Sequence, residues 1–236
     1  MKIFFILCAL MFPAVCFSQN LILEISTPQP RLGEEFSLTI SADSIAKNVF
    51  NFLSGKFSIS NYVSSSNTES ILGTNIQATK LGHNDIGPVT LSINGKKYST
   101  NKLGFDVVDS LPAVNRGLWI RKVPINDTSV YIILEQRIPA LTYITHSQNS
   151  INMSTKANED DKETGMTQDS TEVHFHGSRQ DYRSVINAKT GAKMDFKNFF
   201  AIYRITKADK SKPMVITKDF FTSIPDYYVF QDITIK

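Results

Sequence analysis

The chain of 236 residues carries 25 Lys and Arg against 22 Asp and Glu, and two cysteines, Cys8 and Cys16. A charge balance this close to neutral excludes a dominant nucleic-acid-binding or polybasic membrane-binding surface, so neither partner is expected. Both cysteines fall in the leader described next, which leaves the exported chain without disulfides or cysteine metal sites and makes packed cores its source of stability.

The chain opens with Lys2 and then an almost uncharged apolar run from Ile3 to Val15, ending in Cys16-Phe17-Ser18-Gln19. This run is too short to span a membrane, and small residues stand third from last and last before a cut between Ser18 and Gln19. The pattern is that of a secretory signal peptide over residues 1–18. A lipidation reading would acylate Cys16, but Pro13-Ala14-Val15 lacks the leucine and the small residue usual before such a cysteine. The expectation is therefore a soluble exported protein, periplasmic or envelope-associated. From residue 19 onward no apolar stretch approaches the roughly 20 residues of a helical span, and the remaining length suits roughly one or two domains.

The first elements have a period of two. Leu21-Ile22-Leu23-Glu24-Ile25 and Phe36-Ser37-Leu38-Thr39-Ile40 read as half-buried strands, one face toward a core and one toward water. Between them Pro28, Pro30 and Gly33 mark an edge kink and a turn. Val89, Leu91 and Ile93 alternate up to Asn94-Gly95, the pair best suited to a type I′ hairpin turn, and Lys96-Lys97-Tyr98 resumes the chain. Leu103, Phe105 and Val107 form a further strand. Short strands at this spacing, with turn residues between them and no long amphipathic helix, predict an all-β sandwich.

Residues Arg31 to Ile40, Gly82 with Ile86-Gly87-Pro88, and Asn94-Gly95-Lys96-Lys97-Tyr98-Ser99-Thr100-Asn101 with the strand closing at Val108 resemble the first immunoglobulin-like repeat of the BatD family. The resemblance covers about Leu21 to Asp109. It implies a non-catalytic periplasmic scaffold associated with oxygen tolerance, working beside proteins with von Willebrand A domains and a MoxR-type ATPase.

Alternation lapses from Asp109 to Gly117, where turn formers gather, so residues 110–117 are read as a linker after a first domain at 19–109. Beyond it, Leu118 to Pro124 and Val130 to Glu135 repeat the order strand, turn, strand, and predict a second, diverged sandwich over 118–236. The fold class expected is thus all-β, with two tandem immunoglobulin-like sandwiches after the signal peptide. Trp119 is read as a core or interdomain anchor. Residues 147–170 are almost wholly polar and are expected to be a disordered loop. A calcium loop does not fit there, because Lys162 stands where an oxygen ligand belongs.

Glu172-Val173-His174-Phe175-His176 is the one constellation with metal-site chemistry. On a regular strand Glu172, His174 and His176 share a face, with Val173 and Phe175 toward the core. Polar residues alternating outward give the same string without a metal, and no fourth ligand is evident, so the reading is a solvated face with no metal and no cofactor. His83 and His146 stand alone. Lys207 to Pro213 is expected to connect a hairpin between Phe196–Ile205 and Met214–Thr217, with the lysines of this region on a solvated face.

No Gly-x-Ser-x-Gly elbow, His-Glu-x-x-His helix, phosphate-binding loop or dinucleotide fingerprint occurs, so no catalytic residue is assigned and a non-enzymatic role is expected. The alternatives are a stand-alone secreted sandwich that binds glycan or peptide, and a hydrolase whose carboxylates converge only in the fold.

Overall fold

The computed structural model describes residues 19–40, 58–65, 72–93, 96–147, 150–167 and 172–236. The expected signal peptide of residues 1–18 and the Asn94-Gly95 turn lie outside the described residues. Apart from one 3-10 turn at Lys218–Phe220, the regular structure described is entirely β. The chain divides into two compact units between Leu111 and Pro112, inside the stretch read as a linker.

The first unit contains β1 (Gln19–Leu21), β2 (Leu23–Ile25), β3 (Glu35–Ile40), β4 (Ser58–Ser65), β5 (Leu72–Gln77), β6 (Gly82–Ile86), β7 (Thr90–Ile93), β8 (Lys96–Thr100) and β9 (Leu103–Val107). β2, β3, β5 and β4 form a four-stranded antiparallel sheet in that order. β7 and β8 pair antiparallel, β1 adds parallel to β8, and β6 pairs with β9. Ile93 stands opposite Lys96, so a two-residue connection joins β7 to β8.

The period of two does what the sequence requires of it. Leu23, Phe36, Leu38 and Ile76 are buried in one core with Ile86, Val89, Phe105 and Val107, while Glu24, Ser37, Thr39, Asn75 and Gln77 stay partly or fully exposed. The rings of Phe36 and Phe105 meet edge to face with centroids 5.5 Å apart. Each such side chain contributes on the order of 1.5–3 kcal/mol by leaving water, so this cluster carries the unit's stability.

β2 lies at the edge of its sheet, and Asn101 stands in for the missing strand. Its Oδ1 accepts from the Leu23 N–H at 2.7 Å and its Nδ2 donates to the Leu23 carbonyl at 3.1 Å. Gly87 makes this approach possible: its φ is +70°, and a Cβ there would lie 2.7 Å from the Asn101 carbonyl oxygen.

The second unit contains β10 (Gly117–Asn126), β11 (Ser129–Ser147), β12 (Ser150–Ala157), β13 (Val173–Ile186), β14 (Lys193–Thr206), β15 (Met214–Ile216) and β16 (Ile233–Ile235). β10, β11, β14 and β13 form an antiparallel sheet in that order, with β12 paired to the far end of β11. The middle of β11 is buried on both faces. Val130, Ile132 and Leu134 join Ala201, Tyr203 and Ile205 on one side, covered by Met166, Ile216, Phe221 and Ile235. Ile133, Phe200 and Ile202 cluster on the other. A two-stranded ribbon, β15 with β16, and irregular chain stand where a sandwich places its second sheet. Trp119 is half-buried beneath the Arg137 guanidinium, which also covers Phe196 at 4.6 Å from the ring centroid and donates to the carbonyls of Pro112 and Val114.

Three expectations are corrected here. The polar stretch 147–170 is folded over its described part rather than a disordered loop: β12 pairs with β11 from Ala140 opposite Ala157 to Ser147 opposite Ser150. After β12, the fully buried Gln136 accepts from the Thr164 N–H at 2.7 Å and donates to the Lys162 carbonyl at 3.0 Å, and Met166 enters the core. Polar composition concealed a strand whose backbone is satisfied by a neighbour and a turn whose backbone is satisfied by a buried amide. The expected hairpin through Lys207–Pro213 does not form, because β15 pairs with β16. Finally, Lys207 is buried rather than solvated, and its ammonium donates to the carbonyls of Lys210, Lys212 and Lys236.

Candidate functional site

Glu172, His174 and His176 sit where β13 begins, and a β-bulge there breaks the simple period. Val173 stands opposite Ile205, His174 opposite Arg204 and Phe175 opposite Tyr203, but the next pair is Gly177 with Ile202. His176 is the extra residue, and a bulge re-aims the side chain that carries it. Its ring lies 5.4 Å from that of Tyr131, two strands away.

Val173 is buried, and Phe175, on the same face, touches the core ring of Tyr203 edge-on at 5.5 Å while remaining 48% exposed at the sheet edge. Glu172 precedes the strand. Its Oε1 accepts from the Ala208 N–H at 3.0 Å, and its carbonyl accepts from the Thr206 N–H at 2.9 Å. The carboxylate is thereby tied to the turn after β14 and not to the histidines. Among the described residues no group of three His, Cys, Asp or Glu side chains is placed to hold a metal ion.

What the fold does bring to this place is a cleft of about 560 Å³ lined by Glu172, His174, Phe175, His176, Arg204 and Thr206. Arg204 gives it its electrostatic character, since a guanidinium stays charged at any physiological pH and repels a cation beside it. Sequence reasoning passed over Arg204. The signal available was a single charge within Phe199-Phe200-Ala201-Ile202-Tyr203-Arg204-Ile205-Thr206, an otherwise uncharged strand segment.

The first unit holds a second cluster, on β6 and β9. His83 Nδ1 lies 3.0 Å from Asp106 and its Nε2 lies 3.3 Å from Asp85, which pairs in turn with Lys102 at 3.1 Å. His83 is therefore not isolated, as its sequence neighbours imply. The hydrogen bond to Asp106, seconded by Asp85, raises the imidazole above its ordinary value of 6.5, and the hydrogen bond from Lys102 holds Asp85 below the usual carboxylate range.

The third feature is the ribbon of β11 and β12 past the main sheet. Leu141, Tyr143, Ile144 and Met153 on it are each at least half exposed. Ile144 and Met153 stand directly opposite one another and share a face. A second cleft, of about 640 Å³, lies at the ribbon's root among Pro139, Leu141, Tyr143, Lys156 and Glu159. Clustered exposed apolar side chains are a feature of binding surfaces.

Residues 23–107 match the family model of the BatD DUF11-like domain. No curated protein matches the chain. The matched span starts on Leu23, the first residue of β2, and ends on Val107, the last of β9, so its limits are those of paired strands and not of an arbitrary segment. The first unit thus carries a span similar to the BatD DUF11-like domain.

Proposed function

We propose that the chain is an exported, non-catalytic interaction module of the bacterial envelope, acting on the periplasmic side beside proteins with von Willebrand A domains and a MoxR-type ATPase, and through them in oxygen tolerance. The observation that carries this reading is the BatD-like match over residues 23–107. The exposed apolar ribbon of β11 and β12 supports a binding role, since a two-stranded ribbon is marginal in water without something to pack against.

The test is cross-linking in intact cells of the organism that encodes the chain, with photoreactive groups at Tyr143 and at Phe175. Recovery of von Willebrand A domain proteins or of the ATPase system is the expected result. Repeated recovery of neither overturns the partner assignment, and selective retention of oligosaccharides on a glycan array would instead favour a stand-alone glycan-binding protein.

A further inference from the structure

We propose that the cleft at the β13 bulge is a docking site for an extended acidic segment of a protein partner, with one carboxylate of that segment seated on Arg204. The proposal rests on the interaction-module reading and names the chemistry of its partner.

The first argument is a comparison among the arginines of the second unit. Arg116 pairs with Asp161, Arg121 with Glu135 and Arg183 with Asp181. Arg137 donates to two backbone carbonyls, and Arg179 lies over the Phe200 ring at 4.3 Å from its centroid. Arg204 is exposed, and among the described residues no carboxylate pairs with it. It stands opposite His174 on one side and Tyr131 on the other, with His176 turned by the bulge toward the same face. The guanidinium supplies five N–H donors in a fixed fork and no acceptor of its own, which is the complement of a carboxylate, and each imidazole beside it can add a ring N–H.

The remaining charges of the cleft agree. Glu172, the one carboxylate among its described lining residues, accepts from the Ala208 N–H, and the Lys207 ammonium adds a second positive charge whose N–H donors are taken by three backbone oxygens. Arg204 is thus the cation of the cleft whose donors stay open to a ligand. A phosphate would bring roughly twice the negative charge of a carboxylate against Glu172 and finds no loop of backbone N–H donors to offset it.

The second argument is topological. β13 ends its sheet and, among the described residues, pairs only with β14. An extended chain can therefore lie beside its first residues. The bulge at His176 interrupts the edge, which limits a long continuous ladder and places recognition on the side chains beside the bulge. The exposed ring of Phe175, on the opposite face, offers an apolar contact to alternate residues of such a segment.

The experiment is fluorescence anisotropy on the full chain with a labelled dodecapeptide of alternating Asp and Val and its Asn-Val counterpart. The acidic peptide should bind about tenfold or more tightly than the neutral one, and raising the salt should weaken it. Arg204→Gln should remove that preference while the thermal midpoint of unfolding is kept, and Arg183→Gln, already neutralised by Asp181, should change the affinity by less than about twofold. Equal binding of the two peptides, or an unchanged preference in Arg204→Gln, overturns the proposal. Displacement of the peptide by sub-millimolar inorganic phosphate overturns it too, and assigns the cleft to free anions. If this binding fails while envelope cross-linking succeeds, the interaction module stands and its contact lies on another surface.

Discussion

At the level of single residues, the clearest consequence of the fold is the protonation of His83. Asp106 faces it from β9, and Asp85 lies two residues along β6, so the imidazolium form is favoured in the folded chain. A group whose pKa is raised on folding contributes stability that is fully present below its ordinary value of 6.5 and is lost as pH rises through the higher folded value. The contribution is small, because the cluster is open to water. The titration itself is directly measurable: the His83 ring resonances should report a midpoint above 6.5, and Asp106→Asn should return it toward 6.5. A midpoint at or below the ordinary value would show that the carboxylates do not hold the ring in solution. Neither this cluster nor the cleft around Arg204 was legible in the sequence, for one reason. Asp106 is 23 residues from His83, and Arg204 is 30 from His174, so their adjacency follows from strand register, which local pattern does not encode.

Among the elements, legibility followed the apolar pattern. β3, β9, β10 and the first half of β11 place a hydrophobic residue at every second position or run apolar on both faces, and each was readable as a strand. β12 was passed over because only Ile151 and Met153 alternate in it, among Ser, Asn, Thr and Lys, and polar runs flank it on both sides. The bulge at His176 is likewise silent in sequence; His174 and His176 both line the cleft of Arg204, while the Glu172 carboxylate is tied to the Ala208 N–H. One buried side chain, Gln136, holds the backbone after β12 at two points, beside the surface pairs of Asp161 with Arg116 and of Glu163 with Lys197. Gln136→Ala would leave the Thr164 N–H and the Lys162 carbonyl without their partner, and should destabilise the second unit by about 1–3 kcal/mol in urea unfolding. Hydrogen exchange is the sharper measurement. The Thr164 amide should lose protection selectively in the variant, and an unchanged rate would mean that Gln136 does not hold this segment.

In the molecule as a whole, each buried cluster among the described residues draws on one side of the break between Leu111 and Pro112. The first core draws on residues between Leu21 and Val107, and the two clusters of the second unit draw on residues between Ile120 and Ile235. The position of the break was readable because alternation lapses from Asp109 to Gly117. The layering of the second unit was not, because its cover is a ribbon whose two strands are separated by irregular chain with no repeated pattern. Separate cores imply separate cooperative transitions. In the full chain, Phe36→Ala should cost the first unit about 3–5 kcal/mol and Ile132→Ala the second about 2–5 kcal/mol, each lowering one calorimetric transition and sparing the other. A fragment of residues 112–236 should also give the β-type circular dichroism and the unfolding midpoint of the second transition on its own. A single transition that moves with either substitution, or a fragment that fails to fold, would mean that the BatD-like unit is part of the second unit's stability. The partner surfaces on the second unit would then have to be understood as properties of the joined pair.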